Sequence, residues 1–281
     1  FISDTRNKNF IRLWWAQLIS QFGDRISQMA LIGLSYELSG KQPSAMGLAK
    51  LLSFTIIPVF IIGPVAGVFI DRWDRQKTLF ICDIARGALV LLIPFIFMHW
   101  KTMIPIYVIV FLMFCFSRFH VPAKMSIIPE IVPQDNLLLA NSLITTTGMI
   151  AFVLGCAIGG FLVEWFGARG GFIINGATFF VSAALIFCMA RDLYVRFDRH
   201  KIFEQGKELL EIEKSFWHEL KDGVFYLFQK KEIRFVVNIM FLLLAAAGAV
   251  YVVLIIFIQE TFNSVTRHLG VLAVTLGAGL L

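Results

Sequence analysis

Hydrophobic positions fall into long blocks separated by short polar joints, and the blocks set the predicted elements. A helix that crosses a bilayer takes about 20 mainly apolar residues. Blocks of that kind are predicted to be helical spans over 10–38, 46–70, 79–98, 104–123, 137–165, 171–190 and 234–260, with an eighth opening near residue 268. Residues 191–233 break the pattern, because charged residues become dense there. Within them "KSFWHELKDGVFYLFQKK", Lys214–Lys231, carries Trp217, Leu220, Val224 and Leu227 at helical spacing beside Lys and Glu. This predicts an amphipathic helix lying on the membrane surface and linking two groups of spans.

The first block is not uniformly apolar. Gln17, Gln21, Asp24, Gln28 and Ser35 recur at i, i+4, i+7, i+11 and i+18, which is one helical face. Asp24 lies about 18 Å beyond Arg12 at 1.5 Å per residue, near mid-membrane. An acid at that depth costs about 2.5–3.5 kcal/mol to insert, so it faces a cavity or a partner. Arg25 sits about 100° round the helix and flanks the stripe. Two readings stay open: a structural ion pair that fixes helix packing, or an acid that binds substrate or couples protons. On the second, Gln17, Gln21, Asp24, Arg25 and Gln28 form the candidate binding face.

Composition extends the picture to the whole chain. Of 281 residues, 58% are hydrophobic and only 16% charged, against about 45–50% and 25% in a soluble domain. The expected fold class is an all-α, multi-pass membrane protein. Cys82, Cys115, Cys156 and Cys188 fall one to a block, without metal-ligand spacing, and read as packing residues. His99, His120, His200, His218 and His268 read as interfacial or loop residues and form no metal or nucleophile constellation. No phosphate-binding glycine loop followed by Lys-Ser/Thr is present. No cofactor, metal or enzymatic activity is therefore expected. The first block lacks a small-residue cleavage site, so it reads as a retained helix and not a signal peptide.

The basic residues order the spans. Arg6, Lys8 and Arg12, then Arg72, Arg75 and Lys77, then Arg118 and Lys124, then ten more over 191–234 alternate with a side holding Lys41, Lys101, Arg169 and Arg267. The positive-inside rule puts the N-terminus and the long stretch in the cytoplasm. The net charge of +6 follows from this topology, and no nucleic-acid partner is expected.

A weak internal repeat adds a second level. Ile11-Arg12 and Ile233-Arg234 lie 222 positions apart, and Gly47 and Gly270 lie 223 apart. The near-constant offset predicts that a second half starts near residue 232 in the same orientation as the first, an arrangement known among transporters. The expected organisation is a six-helix half over 1–190, a linker over 191–231, and the start of a second half over 232–281. An apolar run still open at Leu281 predicts a longer protein, roughly 400 residues if the repeat completes.

Between the second and third blocks, "GPVAGVFIDRWDRQK" fits G-x-x-x-D-R-x-x-R with Gly67, Asp71, Arg72 and Arg75. It resembles the loop motif of the major facilitator superfamily, with Asp74 where that family usually has glycine. "NFIRLWWAQLISQFGDRIS", "VPAKMSIIPEIVPQDNLLLANSL" and "GFIINGATFFVSAAL" are similar to its macrolide-efflux and enterobactin-exporter branch. Pro122, Pro129 and Pro133 are expected to break the helices around them.

The resemblance implies a rocking transporter. Asp71 would brace a helix of the other half in a cytoplasmic gate with Gly67, Arg72, Asp74 and Arg75. Asp83 and Arg86, at i and i+3, can pair, either within that gate or as a local structural pair. Arg118 lies near where the superfamily often has a functional arginine; a topogenic role or pairing within the cytoplasmic gate is the other reading. "GCAIGG" resembles an antiporter motif, with Cys156 in place of proline. Gly148, Gly155, Gly159 and Gly160 on the fifth span, with Gly270 and Gly277 on the eighth, would then form an interface between the halves; plain packing is the other reading.

The function this implies is export of amphipathic small molecules by proton antiport from the bacterial inner membrane. Lipid, a small-molecule substrate and protons are the expected partners, and the expected state is a monomer. An exporter or flippase for one metabolite or lipid, and a transport-inactive sensor, are the alternatives.

Overall fold

A computed structural model describes residues 5–38, 45–70, 73–100, 102–189, 231–262 and 266–279. Asp71, Arg72, His200, His218 and the amphipathic segment ahead of Lys231 lie outside the described residues. The elements are α1 (Thr5–Leu38), α2 (Ala45–Ile70), α3 (Arg75–Trp100), α4 (Ile104–Ile131), a 3₁₀ turn (Gln134–Asn136), α5 (Leu137–Phe187), α6 (Lys231–Phe262) and α7 (Arg267–Gly279). No strand occurs among the described residues.

Two boundaries differ from expectation. The fifth and sixth blocks form one helical run, α5, bent at Gly167, whose φ of 72° is the left-handed value that glycine alone adopts without strain. The polar joint "FGARG" is thus a single backbone kink between two arms. The fourth block does not end at 123. Pro122 and Pro129 lie inside α4, which runs on to Ile131. An internal proline removes one backbone hydrogen bond, a loss that neighbouring helices and local adjustment absorb in membrane spans. The break comes where Val132 turns extended (φ −121°, ψ 134°) ahead of Pro133, the conformation that the pyrrolidine ring imposes on its predecessor.

Five stretches are long and apolar enough to cross a membrane: Ala45–Gly63, Arg75–Trp100, Ile104–Ile131, Gln134–Phe187 and Arg234–Thr261. The fourth of these contains both arms of α5. α1 is not among them. Its length of 34 residues suffices at about 51 Å, but its glutamines and charges lower its apolarity.

The chain divides into two compact units, residues 1–189 with 252–281, and residues 190–251. In the first, one core cluster joins Phe10 and Leu13 of α1, Ile70 at the end of α2, Leu79 of α3, Ile127, Ile128 and Ile131 of α4, and Ala140, Ile144, Ile186 and Met189 at the two ends of α5. The start of α1, the α2–α3 joint, the α4–α5 joint and the end of α5 therefore meet at one end of the bundle, as an up-and-down order of spans requires. Gln76 binds the Ile186 and Met189 carbonyls at 2.8 and 3.3 Å, and Arg12 donates to the Cys188 carbonyl at 2.5 Å. These contacts tie α3 and α1 to the end of α5. In the second unit the described part is the first portion of α6, whose side chains from Arg234 to Ala247 are exposed.

Candidate functional site

Glycine sets how closely α1 approaches α5. A Cβ on Gly155 would lie 2.9 Å from Arg25 Cβ, and one on Gly159 would lie 3.1 Å from Ile26 Cα. A Cβ on Gly148 would sit 3.0 Å from Gln21 Oε1. Gly148, Gly155 and Gly159 therefore receive α1. Gly160 and Gly270 do meet across α5 and α7: a Cβ on Gly160 would lie 2.6 Å from the Thr266 carbonyl oxygen, and one on Gly270 would lie 2.7 Å from that of Ala157. Thr266 adds a 2.9 Å hydrogen bond to the Gly160 carbonyl. Gly277 lies in the last turn of α7, and Gly67 has open space beside it.

The second arm of α5 reaches α1 at Gly23, where an added Cβ would overlap the Thr178 hydroxyl and lie 2.4 Å from Asn175 Oδ1. Next to it, Asn175 donates to Ser27 at 2.6 Å and receives the Thr178 hydroxyl at 3.0 Å. Gly23 thus fixes a polar seam immediately beside Asp24. Sequence reading missed Gly23, because a single glycine carries no spacing pattern.

Asp24 projects from this seam towards α3. Its Oδ2 is 3.9 Å from Arg86 Nη1, and its side chain keeps 34% exposure while that of Arg86 has 4%. Arg86 pairs in turn with Asp83, which is fully buried. One oxygen of Asp83 meets both Arg86 Nη2 and His120 Nε2, the latter at 3.3 Å; the other accepts the Ser182 hydroxyl at 2.5 Å. Arg86 also lies over the Phe179 ring, 4.4 Å from its centroid, and its Nη1 is 3.5 Å from the Ser117 hydroxyl. A carboxylate without water needs this many donors, because each uncompensated charge in a low-dielectric interior is costly. Lys124, one turn beyond His120, is also buried.

The cluster joins α1, α3, α4 and the second arm of α5. It brings together Asp24, Asp83 and Arg86, which the sequence marked separately. It also includes His120, expected at a membrane interface but buried within the longer α4. Arg118 sits in the same stretch, about 20 Å short of the end of α4 at 1.5 Å per residue, with a buried Nε that has no hydrogen-bond partner among the described residues.

Arg25 donates to Gln28 at 2.8 Å and lies 4.6 Å over the Phe152 ring. Gln17 is buried, and its Oε1 has no partner among the described residues. Ser35 is buried as well.

At the end of the bundle that holds the positively charged joints, Arg75 pairs with Glu130 at 2.9 Å. Asp74 accepts the Lys77 amide at 3.0 Å and so caps the start of α3. Trp73 stacks on Phe119 with ring centroids 5.8 Å apart.

Long apolar helices packed around a charged interior layer define a multi-pass membrane protein with a polar site between its spans. The sequence profile of the Major Facilitator Superfamily matches residues 13–281, and the chain belongs to that family. Among its relatives, "Uncharacterized MFS-type transporter YfiS" of Bacillus subtilis is 30% identical over 67% of this chain and 44% of its own length. "Macrolide efflux protein A" of Streptococcus pyogenes is 25% identical over 97% of this chain and 64% of its own. The protein of that name from Enterococcus faecalis is 22% identical over 84% and 71%. The chain resembles the macrolide-efflux branch, and it spans between about two fifths and two thirds of the length of the first relatives it matches.

Proposed function

We propose that the full-length protein is a secondary active transporter that exports amphipathic, macrolide-like small molecules by proton antiport with alternating access. The observation that carries this reading is Asp24: a mid-span carboxylate, partly exposed, whose nearest cation, Arg86, is held by a second acid. Such an acid is free enough to take a proton or a substrate and desolvated enough to make the two compete. Gln21 and Gln28 on the same face, with Phe152 beside Arg25, supply polar and aromatic contact surface. The names of two relatives, both macrolide efflux proteins, support efflux as the direction.

Closure on the cytoplasmic side falls in this reading to Gly67, Asp71, Arg72, Asp74 and Arg75, with the Arg75–Glu130 pair as its anchor in this half. The protein works as a monomer in the bacterial inner membrane, N-terminus inside.

The test uses full-length protein in inverted vesicles with an imposed pH gradient and a panel of macrolides, dyes and siderophores. Substrate-evoked proton movement that is lost in Asp24→Asn supports the reading. An unchanged response in the variant removes Asp24 from coupling. Silence across the panel transfers the weight to export of a single metabolite or lipid.

A further inference from the structure

Asp83 is the point at which two cations contend for one oxygen. Its Oδ2 is occupied by Ser182, and its Oδ1 meets Arg86 and His120 together. Arg86 holds Asp83 through Nη2; its other terminal nitrogen, 3.5 Å from the Ser117 hydroxyl, already stands 3.9 Å from Asp24. Asp24 and Asp83 are thus two acids sharing one permanent cation, and the third party, His120, is a histidine, a residue type able to take up and release a proton. Besides Asp83 and Arg86 from α3, the charged group that acts on His120 is Lys124 on its own helix; Ser182 from α5 reaches it only through Asp83.

We propose that His120 is a second proton-carrying group, and that its charge decides whether Arg86 stays on Asp83 or moves onto Asp24, so that one proton on His120 expels a cationic amphiphile from Asp24. This rests on Asp24 being the substrate acid.

The balance of charges is simple. Neutral His120 donates its Nε2–H to Asp83 and leaves Nδ1 bare. Asp83 then needs Arg86, and Asp24 keeps an unneutralised carboxylate open to a cation. A proton added at Nδ1 makes the imidazolium, which satisfies Asp83 on its own. Arg86, still protonated, swings across to Asp24 and closes it. Loss of that proton from Nδ1 reverses both moves. No other bond forms or breaks. The substrate class follows: a lipophilic cation competes with Arg86 for Asp24, and a neutral amphiphile does not.

The test is equilibrium binding of tetraphenylphosphonium to full-length protein in nanodiscs, between about pH 5.5 and 8.5, a range that spans the ordinary histidine titration. Wild type should bind about tenfold more weakly at the acid end, a coupling of ordinary size. His120→Gln should bind tightly and lose that slope, whereas His120→Lys should bind about tenfold more weakly throughout. A His120→Gln variant that keeps the wild-type slope overturns the inference and leaves Asp24 standing. Undiminished binding by Asp24→Asn overturns the substrate reading itself.

If the histidine variants do not fold, ¹⁵N-histidine-labelled wild type decides. Tetraphenylphosphonium added near the midpoint should convert one imidazole from charged to neutral, and no change in any imidazole overturns the inference.

Discussion

Arg86 is the residue on which the interior depends. It neutralises Asp83, approaches Asp24 and covers the Phe179 ring. Arg86→Ala would leave Asp83 buried with its main cation gone, and breaking a buried pair on one side costs about 3–5 kcal/mol. The expected result is a large drop in the unfolding midpoint of the purified protein. Arg86→Ala with Asp83→Asn should recover part of it, because the stranded charge goes too. If the double variant is no more stable than Arg86→Ala alone, the pair is not what holds this layer.

Each charge was legible alone, since a charge within an apolar block is conspicuous. The meeting of Asp24 with Arg86 was not, because no local spacing links residues on different helices. His120 stayed hidden for a different reason. Pro122 suggested that the span stops at 123, which put the histidine at the membrane rim. The helix in fact continues through the proline, and the histidine falls inside.

Helix packing follows the same logic. The spacing of Gly148, Gly155 and Gly159 marks a smooth face, but a spacing encodes a face and never names the helix that covers it. The covering helix is α1, through Gln21, Arg25 and Ile26. A leucine at Gly159 must push against Ile26 backbone, 3.1 Å from the new Cβ. Overpacking of this kind costs about 1–3 kcal/mol, and here it would also move Asp24 relative to α3. Gly159→Leu should therefore lower both thermal stability and tetraphenylphosphonium binding. Gly67→Ala provides the contrast. Nothing lies within 4 Å of its added Cβ, so stability should change by no more than about 0.5 kcal/mol. A transport defect in Gly67→Ala without a stability defect would locate that glycine's role in the gate. A matching fall in stability would reduce it to packing.

At the scale of the molecule, the charged joints and the core agree on one end. Arg12, Arg75 and Gln76 all fasten elements where Phe10, Ile70, Ile131 and Met189 pack together. Across the span, Arg169, beside the bend of α5, lies 5.2 Å over Phe97 near the last turn of α3. The alternation of basic residues read from the sequence therefore matches the alternation of helix direction in space.

Which end faces the cytoplasm is a separate matter, and the positive-inside rule makes it testable. Asp135 and Thr102 are both exposed and lie beyond opposite ends of α4. Cys188 is exposed and Cys115 half-buried, while Cys82 and Cys156 are buried, so Cys115→Ser with Cys188→Ser gives a quiet background. A cysteine replacing Asp135 should react with a membrane-impermeant maleimide only in inverted vesicles, and one replacing Thr102 only in right-side-out vesicles. Exchanged patterns would invert the orientation and place the Arg75–Glu130 end outside. Labelling of both from the same face would mean that α4 does not cross, which would remove Asp83, Arg86 and His120 from the membrane interior and the proposed proton site with them.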